Sequence, residues 1–313
     1  MRAVWFWILL AGLGWGTSSV AVRGARGEGM GPYAIATYRS LIGAAAVVVF
    51  LVVMRRGLPR GVATWKTGLV QGITNLAVPY ILLNIALQHA SAGFIGLLVA
   101  LVPMLTAVLA HFMLPAERLG VVKVLGLAVA AGGVGVLLLS GDSGLVDGGR
   151  PVLALLLGFL GAASIAFGGT YAKIHAGVYS PVQVTGIHFV SGAAVIAVVA
   201  LSVEGPSAPQ TIETWSLMTY LGLFGQFMPF VLFYRLLQRV SATYASMVGY
   251  VVPLVAVAAG VLLLDERLEA GIVLGGLLIL VGVLIADRAE RIAVIAAEGA
   301  PEELVAGAEG SGG

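Results

Sequence analysis

Apolar residues run along this chain in blocks of about twenty, the length a helix needs to cross the hydrocarbon layer of a bilayer. Ten such blocks, closed by charges or by Gly and Pro, fall near residues 4–22, 33–54, 67–87, 92–113, 120–139, 152–172, 181–203, 215–235, 242–263 and 270–286. Within them charged residues are almost absent. The blocks therefore read as helices, whose backbone bonds are satisfied internally where lipid offers no partner. The predicted fold class is an all-α membrane protein of ten transmembrane helices.

The pattern of blocks occurs twice. Trp65, Gly72, Pro79, Gln88, Ser91 and Pro103 reappear 150 positions later as Trp215, Gly222, Pro229, Gln238, Ser241 and Pro253. With a slip of one, Pro32 and Gly43-Ala44-Ala45 recur as Pro181 and Gly192-Ala193-Ala194. Glu117-Arg118-Leu119, Gly126 and Gly133 likewise recur as Glu266-Arg267-Leu268, Gly275 and Gly282. Each copy holds five predicted spans. Five is odd, so the second copy enters the membrane from the opposite side, and the two are expected to be inverted repeats about an axis in the membrane plane. That is transporter architecture, with a substrate site near the midplane between the copies.

Composition agrees: 313 residues are 59% hydrophobic and 10% charged, with a mean hydropathy of +1.03. A soluble domain cannot bury that much apolar surface, so the lipid bilayer is an expected partner. The first block holds Trp15 and Gly16 and lacks a small-residue cleavage site, so it reads as a span rather than a leader. Cysteine is absent, which removes disulfide and thiol chemistry. The net charge of +2 gives no reason to expect nucleic acid. Its distribution is more informative. With the N-terminus inside, twelve Lys and Arg side chains fall on the cytoplasmic side and four (Arg23, Arg26, Arg150, Arg267) outside, with Arg39 left within a span. Both termini are thus predicted cytoplasmic (N-in, C-in).

The duplicated five-span units, Trp15-Gly16 in the first span closed by Arg23, Arg39 in the second, and Glu117-Arg118-Leu119 with Gly126 and Gly133 leading into the fifth resemble the EamA family of the drug/metabolite transporter superfamily. The resemblance covers residues 4–286 and divides the chain into a first EamA-type repeat over 1–140, an outer linker over 141–151, a second repeat over 152–287 and a disordered cytoplasmic tail over 288–313. It implies a multi-pass protein of the bacterial cytoplasmic (inner) membrane that moves amino acids or other small metabolites. The aromatic amino-acid exporters are a near comparison within the family. The second copy departs from the pattern, with Ile165-Ala166 where the first has Trp15-Gly16 and His188 opposite Arg39.

Four prolines, Pro79, Pro103, Pro229 and Pro253, lie inside predicted spans and weaken the helix bonds of the carbonyls four residues back, on Asn75, Val99, Gly225 and Gly249. They are candidate hinges or carbonyl ligands; packing kinks are the alternative. Polar and aromatic side chains concentrate in spans one, three, four, six, eight and nine. Trp15, Thr17, Ser18, Gln71, Asn75, Phe94, Ser164, Phe167, Tyr171, Gln226, Phe230, Tyr234, Tyr244 and Tyr250 are the candidate substrate-binding set. Polar groups at membrane depth are costly unless they face a cavity or another helix, so these are expected to line a central cavity, with interhelical glue as the alternative for any one residue. Arg39 and His188 are candidate charge or gating residues. Arg39 either recognises a substrate carboxylate or gate, or it snorkels or caps carbonyls.

All 15 acids fall in loops, span ends or the tail, which disfavours carboxylate-coupled antiport. No glycine-rich phosphate loop precedes a lysine, so ATP hydrolysis is not expected, and no set of metal ligands, cofactor site or catalytic residues emerges. The reading is a secondary transporter, not an enzyme, that exports a small-molecule substrate, an amino acid first, by alternating access. Nucleobases, organic acids and cations remain open, as does a non-transporting scaffold. Gly271 and Gly275, spaced for close helix contact, allow packing within the bundle or a weak homodimer.

Overall fold

The computed structural model describes residues 2–288, leaving aside 56, 58, 60, 91–94, 96, 97, 100, 116–119, 140–149, 265–269, 272, 279, 283, 286 and 287. Every element among the described residues is helical. Helices α1 (Arg2–Gly27), α2 (Pro32–Val53), α3 (Val62–Ala86), α4 (Val102–Met113), α5 (Val121–Leu139), α6 (Pro151–Ile174), α7 (Pro181–Val203), α8 (Ile212–Leu237), α9 (Val248–Leu264) and α10 (Val273–Gly282) follow in chain order. Six of them, α1, α2, α3, α6, α7 and α8, are long and apolar enough to cross a membrane.

Local chemistry sets the helix starts. Pro32, Pro151 and Pro181 stand in the first turns of α2, α6 and α7, where the missing N–H costs nothing. Thr211 and Thr214 bond reciprocally, each hydroxyl accepting from the other's backbone N–H at 3.1 Å, and so start α8. Several boundaries differ from the hydropathy blocks. α1 continues past Arg23 and Arg26, because long cationic side chains at a helix end still reach water. α3 and α8 begin several residues early, at Val62 and Ile212. The ninth block is broken: a short turn, Ala242–Ser246, precedes α9. The repeated Glu-Arg-Leu motifs, most of the linker and the tail lie outside the described residues.

The packing pattern of one half is repeated with the halves exchanged. α2 lies along α7 at the centre; α3 packs on α7 and α6, while α8 packs on α2 and α1; α6 packs on α4, and α1 on α9. The close approaches are made by glycine. A Cβ on Gly72 would sit 2.9 Å from the His188 carbonyl oxygen, and one on Gly222 would sit 2.9 Å from that of Arg39. A Cβ on Gly192 would lie 2.8 Å from the Gly72 carbonyl oxygen, and one on Gly43 would lie 3.3 Å from that of Gly222. The repeated glycines are thus the contact points of two equivalent crossings, α3 on α7 and α8 on α2, where backbones approach as only residues without a side chain permit. Gly282 of α10 approaches the Gly126 carbonyl of α5, a contact within the bundle.

Candidate functional site

The two prolines at equivalent places in α3 and α8 reshape their helices. Immediately before each, the backbone widens into a π-helical turn, Gly72–Ala77 ahead of Pro79 and Leu223–Phe227 ahead of Pro229. Proline cannot donate to the carbonyl four residues back and its ring crowds it; a wider turn relieves both, and frees carbonyls for other partners. Gly225, four before Pro229, uses its carbonyl to accept from Arg39 Nη2 at 3.0 Å. In α3 the Thr74 carbonyl accepts from the Ser164 hydroxyl at 2.7 Å. Pro103 stands in the first turn of α4, after a turn at Leu101, rather than deep within a helix. Pro253 lies in α9; its side chain is outside the described residues, as is that of Tyr250 and all of Phe94.

Two polar clusters surround these turns. At the crossing of α8 with α2, Arg39 Nε donates to Gln226 Oε1 at 2.7 Å, Gln226 Nε2 donates to Ser40 Oγ at 3.0 Å, and the guanidinium lies 5.4 Å from the centre of the Tyr80 ring. Arg39 is 4% exposed. At the crossing of α3 with α7, Asn75 Nδ2 donates to Gln71 Oε1 at 2.6 Å and Gln71 Nε2 donates to the Gly168 carbonyl. Tyr234 donates its hydroxyl to Gln71 Oε1 at 3.2 Å and pairs with His188 Nδ1 at 2.9 Å. His188 is held through Nδ1, and its Nε2 is buried with no partner among the described residues. His188 also meets Phe230 edge-on at 4.5 Å. Arg39 on Tyr80 and His188 on Phe230 are repeat-equivalent contacts with different chemistry.

The candidate set divides accordingly. Gln71, Asn75, Gln226, Phe230 and Tyr234 gather with Arg39 and His188 at the centre; Trp15 joins them through a T-shaped contact with Phe230 at 5.1 Å. Ser18 is buried, donating to the Gly14 carbonyl at 2.7 Å, and lies against Gly225. Thr17 turns instead to the Tyr220 hydroxyl, 2.7 Å away. Phe167, 38% exposed, stacks on Tyr171, whose hydroxyl is buried with no partner among the described residues, and Tyr244 packs on Trp5. Tyr80 and Ser40 belong to the centre but were not among the candidates. Tyr80 follows a repeated proline and is the counterpart of Phe230, so the 150-residue displacement carried the signal.

Equivalent ends of the two broken helices differ in burial. From Phe230 to Leu237 every residue except Arg235 is buried, whereas Tyr80 to Leu87 is half-buried throughout except for Ala86. The end of the bundle near the N-terminus is tied across. Lys173 Nζ donates to the carbonyls of Leu237 at 2.9 Å and Val240 at 2.7 Å, Gln238 Nε2 donates to those of Ala176 at 3.0 Å and Tyr179 at 2.8 Å, and Arg239 covers the Trp7 ring at 4.7 Å. Neither latch residue was anticipated as functional, although Gln238 is one of the repeated positions. At the other end Glu204 caps α2, its carboxylate accepting from the N–H groups of Tyr33 and Ala34, both at 2.9 Å. No cluster of three His, Cys, Asp or Glu side chains able to hold a metal occurs among the described residues.

A duplicated helical bundle with six membrane-length apolar helices and a polar centre at two proline-broken helices is the architecture of a polytopic membrane protein. The chain belongs to the EamA-like transporter family, whose model matches residues 3–139 and again 152–286. It is 27% identical over 286 residues to the uncharacterized transporter YoaV of Bacillus subtilis, covering 90% of this chain and 96% of that one. It is 25% identical over 295 residues to an uncharacterized transporter of Archaeoglobus fulgidus, covering 91% and 98%. A WAT1-related chloroplastic protein of Arabidopsis thaliana is 25% identical over 284 residues, 88% of this chain and 67% of that one. A solved crystal structure of a protein sharing 20% identity superimposes with a TM-score of 0.71 over 93% of this chain and 98% of the other, a likeness of fold.

Proposed function

We propose that this protein is a secondary carrier that exports a small metabolite, an amino acid or a compound of similar size, by alternating access between two inverted five-helix units. The observation that carries the reading is the unequal burial of equivalent helix halves, Phe230–Leu237 enclosed and 80–87 half-open. A symmetric scaffold has no reason to bury one copy and open the other; a carrier caught with one entrance closed does.

Contact register supports the inversion. Gly12 and Gly16 of α1 meet Val251 and Val255 of α9, so those helices run parallel, whereas Gly161 and Gly168 of α6 meet Leu83 and Asn75 of α3, so those run antiparallel. Gly68 and Gly192 meet Ile187 and Leu76, which makes α3 and α7 parallel. Gly43 and Gly186 meet Phe189 and Val47, so α2 runs against α7, while Trp215 and Gly222 meet Tyr38 and Ile42, so α8 runs with α2; α3 and α8 then run oppositely, as an inverted repeat requires. The Lys173 and Gln238 ties close the end near the N-terminus, taken as cytoplasmic from the distribution of Lys and Arg.

Purified protein in liposomes preloaded with unlabelled amino acids is expected to accelerate uptake of the labelled compound by counterflow. Failure of every amino acid and small metabolite to do so would overturn the reading. Because the chain has no cysteine, single replacements report access directly. Asn84→Cys is expected to react with a membrane-impermeant thiol reagent from the outside and the equivalent Tyr234→Cys to stay protected.

A further inference from the structure

Arg39 is a buried cation that meets no carboxylate among the described residues. Its two described hydrogen bonds go to neutral acceptors, the Gln226 amide oxygen and the Gly225 carbonyl. No Asp or Glu occurs within any predicted span, and Glu204, at the end of α7, is committed to the amides of Tyr33 and Ala34. Removing a guanidinium from water is costly, and neutral dipoles recover less of that cost than a carboxylate does. The two bonds use Nε and one Nη2 hydrogen. Nη1 makes no hydrogen bond among the described residues, and together with Nη2 it forms the end-on edge that can receive a carboxylate. The guanidinium also lies over Tyr80, the first residue of the half-open stretch of α3.

Resting on the carrier reading above, we infer that the transported molecule bears a carboxylate and that the end-on edge of Arg39 receives it. The Gly225 and Gln226 bonds are then the fixture that aims the guanidinium, and Tyr80 is the wall beside it. The absence of a membrane-embedded acid works in the same direction: a purely cationic substrate has no counter-charge in the spans, whereas a monoanion or a zwitterion has Arg39. The second half contributes no equivalent, because His188 occupies that position and is bonded to Tyr234.

The test is counterflow and thermal-shift binding with amino acids and small monocarboxylates, each beside its own carboxamide, together with a set of neutral and cationic metabolites. Wild-type protein is expected to prefer at least one acid over its amide by tenfold or more. Arg39→Lys is expected to keep the preference with weaker binding, and Arg39→Gln to lose it. Should Arg39→Gln fail to fold, Tyr80→Leu leaves the Gly225 bond in place and is expected to weaken acid binding severalfold without lowering the melting temperature. Exchange of acid and amide at equal rates, or exchange of neutral or cationic compounds only, overturns this inference and leaves the carrier reading standing. Exchange of no compound in any class overturns the carrier reading itself.

Discussion

The helix crossings α3 on α7 and α8 on α2 are one crossing built twice, and they differ only where side chains meet. In both, a glycine sits against the carbonyl of the opposing helix's charged or titratable residue, Gly72 on His188 and Gly222 on Arg39. Beside the π-helical turns the bulk has been exchanged. α6 presents Ser164 to the Thr74 carbonyl and then Gly168 to the Asn75 amide, whereas α1 presents Gly14 to the Phe224 carbonyl and then Ser18 to Gly225. The serine has moved by one turn, and the side chain that fills the contact has crossed from the broken helix, Asn75, to its neighbour, Ser18. On the carrier reading proposed above, backbone geometry is kept because both halves bend alike, and polar chemistry diverges because a site between them needs different groups on each side.

The equivalence of the crossings can be broken at the glycines. Gly72→Ala and Gly222→Ala are each expected to destabilise the protein by about 1–3 kcal/mol through overpacking, read as loss of folded protein on heating in detergent. If one is neutral, the crossings do not carry equal load. Next in size is the exchanged pair. Gly168→Ser alone drives a hydroxymethyl group into Asn75, and Asn75→Gly removes the obstacle, so the double variant is expected to recover about 1–2 kcal/mol relative to the sum of the singles. Additive effects would show that the bulk exchange is incidental.

The polar clusters give smaller numbers, since an interhelical hydrogen bond in a membrane protein is worth about 0.6 kcal/mol. Tyr234→Phe loses two, to His188 and Gln71, and is expected to cost about 1 kcal/mol. Asn84→Ala at the equivalent position loses only a bond within its own helix, to the Tyr80 carbonyl, and is expected to be near neutral by the same melting measurement. Lys173→Met is expected to cost less than about 1 kcal/mol in melting. Its mark is kinetic: releasing the carbonyls of Leu237 and Val240 is expected to raise thiol labelling at Tyr234→Cys from the side that carries the N-terminus. Unchanged labelling would remove the latch from the account.

Much of this was legible from residue positions. The displaced Trp, Gly, Pro and Gln residues announced the duplication, and the paired prolines pointed to the freed Gly225 carbonyl that Arg39 now occupies. Gln71 with Asn75, four apart on one helix, proved to be bonded partners. Thr17 and Phe167 were chosen by span and residue type, and their faces turn elsewhere, because a period of 3.6 does not reveal which face of an almost wholly apolar helix meets protein and which meets lipid. Tyr80 and Lys173 were passed over although each has a repeat counterpart, Phe230 and Arg23.

By itself the amino-acid sequence determined the class of the protein, its helical spans, its duplication and the places where helices would break. These follow from local properties: apolar length against bilayer thickness, and the missing N–H of proline. Only the tertiary structure decided that His188 bonds Tyr234 while Arg39 clips Gly225, and that one of two equivalent helix halves is enclosed while the other is half-open. Those outcomes depend on which helix faces which across the bundle, and two copies of nearly one pattern contain no instruction about which copy will be the closed one.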